Sequence, residues 1–267
     1  MEKFSVDQVD NIPEKLQNIK QPPMELFYQG NIELLYRPTI SIVGSRRPTP
    51  YTKTLIYELS SRLSKIGFSI VSGGALGSDI EAHRGAFPNT IGVMANSLDY
   101  IYPKTNKNDI INMRDNGGLL LSENREGVAP HTKRFVHRNR LIIGLSDIVV
   151  VAQADERSGT LQSINIALKE DRKVYVFPQR IDESRATNRL IANRKVNLIY
   201  DIDHFIDEVS HRFKFELENR DLDDPFLKFC QTNPTYDELF EKFSDQIFEY
   251  EFEGKIEIRD GIVFLTT

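Results

Sequence analysis

Cysteine is almost absent. The 267-residue chain has one, Cys230, so no disulfide can close within it. That suits a reducing compartment, and a cytoplasmic location is expected. Cys230 sits among Phe226, Leu227 and Phe229, which predicts buried packing rather than a reactive thiol. Clustered metal ligands are missing as well. The five histidines are scattered and none pairs with the cysteine, so no metal site is expected. No apolar run approaches the ~20 residues of a membrane span, and no secretory leader is expected ahead of Phe4. A GxGxxG fingerprint is also lacking. The first glycine turn reads GSRRP, with arginines where a dinucleotide backbone would have to approach, which argues against a dinucleotide-dependent oxidoreductase. No cofactor is expected.

What is present is an ordinary globular composition, 40% hydrophobic and 27% charged. The net charge of −5 is unevenly spread. Residues 40–160 carry 15 Lys and Arg against 11 Asp and Glu, whereas residues 211–267 carry 7 against 14. A local basic patch matters more for binding than the whole-chain balance.

The stretch 39–82 organises the chain. Thr39–Val43 is apolar and β-branched, as a buried parallel strand should be. Gly44 turns the backbone, and Thr49 with Pro50 forms a helix start. Leu55, Ile56, Leu59, Leu63 and Ile66 share one helical face, and Gly67 ends the helix. A second strand, 68–71, leads into Ser72-Gly73-Gly74, and Ser78 with Glu81 has capping-box spacing for the next helix. Further strands are expected at 90–94, 119–121, 148–151, 173–177 and 197–200, with helices at 105–115, 133–145 and 158–170. This alternation predicts a doubly wound α/β fold with a mostly parallel, Rossmann-like sheet. Glycine turns at the carboxyl ends of parallel strands, facing helix N-termini, are where such sheets bind phosphate groups.

Domain boundaries follow from composition. Residues 1–36 read as a short lead-in, 37–211 as the core and the charged, aperiodic 212–224 as a linker. Residues 225–267 suggest short helices, at 234–243 and 245–253 among them, and a hairpin turning at Asp260-Gly261. That order predicts a winged-helix-like domain. Its EYEFEGK segment would repel phosphate, so contact with protein is favoured over DNA reading.

Several stretches together resemble the DNA-processing protein A (DprA/Smf) family: GSR at 44–46, SGGALGSDIEAH at 72–83, LDYIYPKTNK at 98–107, LSE at 121–123, FVHRNRLIIGLSDIVVVAQA at 135–154 and SGTL at 158–161. The resemblance spans almost the whole chain in the family's order. It implies a Rossmann-like core that binds single-stranded DNA, protects incoming strands in natural transformation (competence), dimerises, and helps load the RecA recombinase. Many relatives carry a helical domain ahead of this core, and residues 1–36 are too few for one.

Candidate site residues fall into three groups. Gly44, Ser45, Arg46 and Arg47 leave the first strand. Arg46 either contacts a phosphate, to which its planar donors suit it, or pairs with a loop carboxylate; the resemblance points to phosphate. Ser72, Gly73 and Gly74 form a tight turn, or offer free backbone N–H groups to an anion, or do both. Asp79 and His83, on one helix face, are expected to orient that turn. Lys133, Phe135, Arg138, Asn139 and Arg140 interleave cations with an aromatic ring, as single-stranded nucleic acid requires. Arg138 and Arg140 cannot share a helical face, so one is expected to point inward. Thr132 stands where a close relative would offer lysine. Ser158 and Gly159 open a helix and either bind phosphate or cap it. Asn96, Gln179 and Ser78 are further departures, and none removes a charge from the site.

An enzyme reading competes with this one. Nucleotide phosphoribohydrolases of the lysine-decarboxylase-like family have a similar core and place a glutamate just after a PGGxGT turn. The equivalent phrase here, RSGTLQS at 157–163, has neither the PGG nor the acid. Glu123 is the remaining carboxylate near a strand end. Binding without a catalytic group is therefore expected.

Overall fold

The computed structural model describes residues 6–215, 225–230, 232, 234–244, 246–252, 255–259 and 261–265. Residues 7–36, expected only as a lead-in, belong to the fold. They form β1 (Asp7–Gln8), α1 (Glu14–Gln17), β2 (Phe27–Gly30) and a 3-10 turn at Ile32–Tyr36. Leu16, Ile19, Leu26 and Leu34 are buried. Lys15 Nζ lies 2.5 Å from Asp147 Oδ2, and the same oxygen accepts the Thr39 backbone N–H at 2.8 Å. One carboxylate thus joins this segment to the start of the central strand.

That strand is β3 (Thr39–Val43). It is followed by α2 (Pro50–Lys65), β4 (Ser69–Ser72), α3 (Ser78–Ala86), β5 (Thr90–Val93), α4 (Lys107–Asp115) and β6 (Leu119–Ser122). Then come α5 (Thr132–Leu145), β7 (Ile148–Val151), α6 (Gly159–Lys169), β8 (Lys173–Val176), α7 (Arg185–Ala192), β9 (Asn197–Leu198) and α8 (Ile202–Phe213). Neither α7 nor α8 is among the expected elements. The sheet order is β1-β2-β6-β5-β4-β3-β7-β8-β9. Pairing is parallel from β6 through to β9 and antiparallel at β1–β2 and β2–β6, so β2 runs against the other strands. The chain fills one side of β3 first and then crosses to β7 on the other. The switch point, where open α/β sheets form their ligand crevice, therefore lies between the carboxyl ends of β3 and β7.

Local signals explain most of these elements. Thr49 caps α2 by accepting the Thr52 N–H at 3.2 Å, with Pro50 at the first helical position. Ile56, Leu59 and Leu63 are fully buried against the sheet. The capping box expected at Ser78 and Glu81 does not form. Gly77, at φ +78°, is the cap residue of α3, and the Ser78 hydroxyl instead donates to Ser45 O at 2.9 Å. At Gly44 the need is for close approach rather than unusual φ, because a Cβ there would lie 2.8 Å from Ser78 Cβ. The start of α3 is thereby pressed against the turn after β3.

The chain divides into two compact units, residues 1–216 and 217–267. The first runs past the expected linker start, because Phe213 and Phe215 pack edge-on against buried Phe68 at 5.2 and 4.8 Å. Residues 216–224 of that expected linker lie outside the described residues. The second unit contains α9 (Pro225–Cys230), α10 (Tyr236–Phe243), α11 (Gln246–Phe252), β10 (Ile256–Arg259) and β11 (Ile262–Leu265). Thr235 and Glu238 form a capping box on α10. The two strands pair antiparallel around a hairpin whose Gly261 has φ +77°, while Asp260, Asp245 and Glu253 lie outside the described residues. Cys230 is fully buried with Phe226, Leu239, Ile247 and Val263.

Candidate functional site

A cleft of about 400 Å³ opens at the switch point. Gly44, Ser45 and Arg46 line it from the turn after β3, and Ser158 and Gly159 from the start of α6. Phe135, Arg138 and Asn139 line it from α5. Three stretches distant in sequence thus meet because β3 and β7 are neighbours.

Arg46 is exposed and has no acid partner among the described residues. Its guanidinium carbon lies 5.9 Å from the centroid of the Phe135 ring. Phe135 in turn tilts against Tyr102, with centroids 5.5 Å apart. This weak cation–π contact biases the guanidinium towards the ring, and its N–H groups make no hydrogen bond among the described residues. Ser45 Oγ accepts the Arg47 N–H at 3.0 Å and so orders the turn. Ser158 caps α6, its hydroxyl accepting the Leu161 N–H at 3.2 Å and donating to Asp155 O at 2.7 Å. Gly159 is exposed with open space beside it, so the positive end of α6 faces the cleft.

The Ser72-Gly73-Gly74 turn does not offer its N–H groups to a ligand. Asp79 Oδ2 accepts the Gly73 and Ala75 N–H groups at 3.1 and 3.3 Å. His83 Nε2 accepts the Gly74 N–H at 3.2 Å, and the buried Ser72 hydroxyl donates to Ile42 O at 2.6 Å. The expected phosphate cradle is therefore an internal scaffold, and Asp79 and His83 orient it as the sequence indicates. Its purpose is to seat Arg138. That side chain is buried, and its Nη1 donates to Gly73 O at 2.7 Å and to Val93 O. Glycine at 73 leaves room for the guanidinium, which a Cβ there would displace.

Arg140 is the second correction. It too is buried, forked onto Glu123 at 2.9 and 2.5 Å, with its Nε donating to Gln21 O at 2.9 Å. Both arginines point inward, where one was expected to, and Arg140 does not reach the cleft. Arg47 and Lys133 are exposed but do not line it, and Thr132 is the first residue of α5. Val136, Asp155 and Thr160 are wall residues that sequence reasoning missed, as is Tyr102, which lines a smaller neighbouring cavity that shares Arg46 and Phe135 with the cleft. Tyr102 falls inside the 98–107 run, yet nothing in that run reveals that its ring meets Phe135.

His83 has one consistent tautomer. Because Nε2 accepts from Gly74, the proton sits on Nδ1 and faces Thr90 Oγ1 at 2.6 Å. Burial, with the Arg138 charge adding to it, pushes its pKa down to about 3. Burial also raises the Asp79 carboxyl, against the pull of Arg138 and of the two N–H donors. A histidine that stays neutral in the fold but titrates near 6.5 when unfolded contributes stability that is whole above that value. As pH falls the unfolded state binds the proton first, and stability erodes by up to about 1.4 kcal/mol per pH unit. His83→Gln keeps an acceptor for Gly74 and a donor for Thr90. Between about pH 7 and about pH 5 it should lose roughly 2 kcal/mol less than the parent in urea titrations. Equal losses would mean that His83 protonates within the fold.

A doubly wound, mostly parallel sheet with a cation-bearing, aromatic-walled cleft at its switch point defines an α/β protein of the Rossmann-like class. Residues 3–210 match the family described as DNA recombination-mediator protein A, and the chain belongs to that family. It is similar to the DNA processing protein DprA of Bacillus subtilis, 38% identical over 167 residues. That match covers 61% of this chain and 56% of the relative. The Streptococcus pneumoniae DprA is 38% identical over 175 residues, 64% of this chain and 61% of that protein. The chain thus spans little more than half the length of these curated relatives. Among solved structures, it resembles DNA processing protein A from Helicobacter pylori, described for its single-stranded DNA binding mode. The TM-score is 0.77 at 41% identity, covering 78% of this chain and 97% of that one. The X-ray structure of S. pneumoniae DprA aligns with TM-score 0.70 at 33% identity, covering 81% and 76%.

Proposed function

We propose that this chain binds single-stranded DNA in its switch-point cleft and acts in DNA processing and recombination without catalysing a reaction. The observation that carries the reading is the Arg46–Phe135–Tyr102 arrangement at the cleft mouth. It offers an unpaired cation for a backbone phosphate beside aromatic faces for a base, which is the pairing single strands need. A duplex hides its base faces, so the arrangement favours unpaired nucleotides. The single-stranded DNA binding mode described for the H. pylori relative supports the same reading. In this proposal the protein is a cytoplasmic homodimer that protects incoming strands and helps load RecA during natural transformation.

The phosphoribohydrolase alternative lacks its glutamate at the equivalent place. Glu123 is engaged by Arg140, and the first turn of α6 presents Leu161 and Gln162 instead of a glutamate. Mobility shifts with single-stranded and blunt duplex oligonucleotides test the proposal, with nucleotide-monophosphate hydrolysis assayed alongside. The expected result is clear preference for the single strand at every sequence tried and no hydrolysis. Equal affinity for duplex, or turnover of the nucleotide, would overturn it.

A further inference from the structure

The cleft does not end at α6. A second, more open groove of about 450 Å³ continues from it along the outer face of α5 and α6, sharing Val136, Ser158 and Gly159 with the first. Its floor is apolar, from exposed Val136 and half-buried Leu161. Gln162 and Asn165 are exposed on one face of α6. Arg157 lines the groove next to Ser158, which groove and cleft share. The acid beside it, Glu156, is held by Arg189 at 2.8 Å. Arg157, Gln162 and Asn165 themselves make no side-chain hydrogen bond or ion pair among the described residues.

We propose that this groove is a second nucleotide subsite, which takes the nucleotide adjacent to the one bound at Arg46 and Phe135. This rests on the single-strand reading above. The chemistry of each part fits one nucleotide. Arg157, whose neighbour Glu156 is paired with Arg189, serves the connecting phosphate. Val136 and Leu161 give a base face something to lie on. The amides of Gln162 and Asn165, each both donor and acceptor, reach a base edge. Side-chain amides can meet every base in some orientation, so the subsite adds affinity with modest base preference. The positive end of α6 lies between the two subsites, where a bridging phosphate would sit.

The test uses the full chain and oligothymidines of increasing length, each compared with a strand carrying one abasic position. Gln162→Ala with Asn165→Ala should bind the shortest ligands as the parent does. It should lose the affinity gained on lengthening, by about three- to tenfold per hydrogen bond removed. That deficit should shrink on the abasic strand, because no base edge remains to be read. Arg157→Ala should weaken binding with or without the base and lower the log–log salt slope by roughly 0.7. All three positions are exposed, so circular dichroism should report an unchanged fold. If the double variant matches the parent at every length while Arg46→Ala is weakened, the groove is not a subsite and the cleft reading stands. If Arg46→Ala also matches the parent, the reading on which this subsite rests fails.

Discussion

Replacing Arg138 with methionine should destabilise the core unit by about 3–5 kcal/mol, the usual cost of removing one partner from a buried charged network. Methionine keeps the aliphatic length but leaves Gly73 O and Val93 O without their donor. It also leaves Asp79, buried behind the glycine turn, without the positive charge that favours its ionised form. Urea unfolding would show the loss as a lower midpoint at unchanged slope. A double variant, Arg138→Met with Asp79→Asn, should lose clearly less than the sum of the two single changes, because no buried charge is left uncompensated. Unfolding of the Arg138→Met protein at the parent's midpoint would show that the guanidinium does not brace the turn. DNA affinity should fall together with stability, since the Gly73 turn and the cleft wall share this side chain.

Arg46 and Phe135 should separate in a different manner. Arg46→Ala should weaken single-strand binding at every sequence and reduce the log–log salt slope by roughly 0.7, because one phosphate contact and its released counterion are lost. Phe135→Ala should cost about 1–3 kcal/mol per stacked base while the slope stays nearly constant. The 5.9 Å contact between the two adds a coupling. Without the ring, Arg46 loses its platform, so the double variant should lose less than the two singles combined. Arg46→Ala that folds and binds like the parent at every salt concentration would remove Arg46 from the site.

The sheet was legible because its signals are local. Short β-branched runs such as Thr39–Val43 and Ile148–Val151, bounded by glycine turns, have few other places to be buried. The cap at Thr49-Pro50 likewise depends only on neighbouring residues. The lead-in was harder. Leu16, Ile19, Leu26 and Leu34 show no sustained period, and what orders them is burial plus the link from Lys15 to Asp147, a residue of the other half of the sheet. The segment around Arg212 reads as a linker from its charge. Yet Phe213 and Phe215 are spent on Phe68, a contact that composition cannot reveal.

For the site, the residue types at the cleft were set by the sequence alone: a cation after β3, an aromatic and an amide on α5, and a serine-glycine helix start. Which of them face the ligand was decided by the tertiary structure. The sequence expects one of two arginines two positions apart on α5 to point inward, yet both do, Arg138 to Gly73 O and Val93 O and Arg140 to Glu123. The Ser72-Gly73-Gly74 turn looks like an anion cradle until Asp79 and His83 are seen to take its donors. The reason is general. Strand and cap preferences depend on a residue and its neighbours, whereas a buried hydrogen-bond donor takes whichever acceptor the packed fold brings within reach.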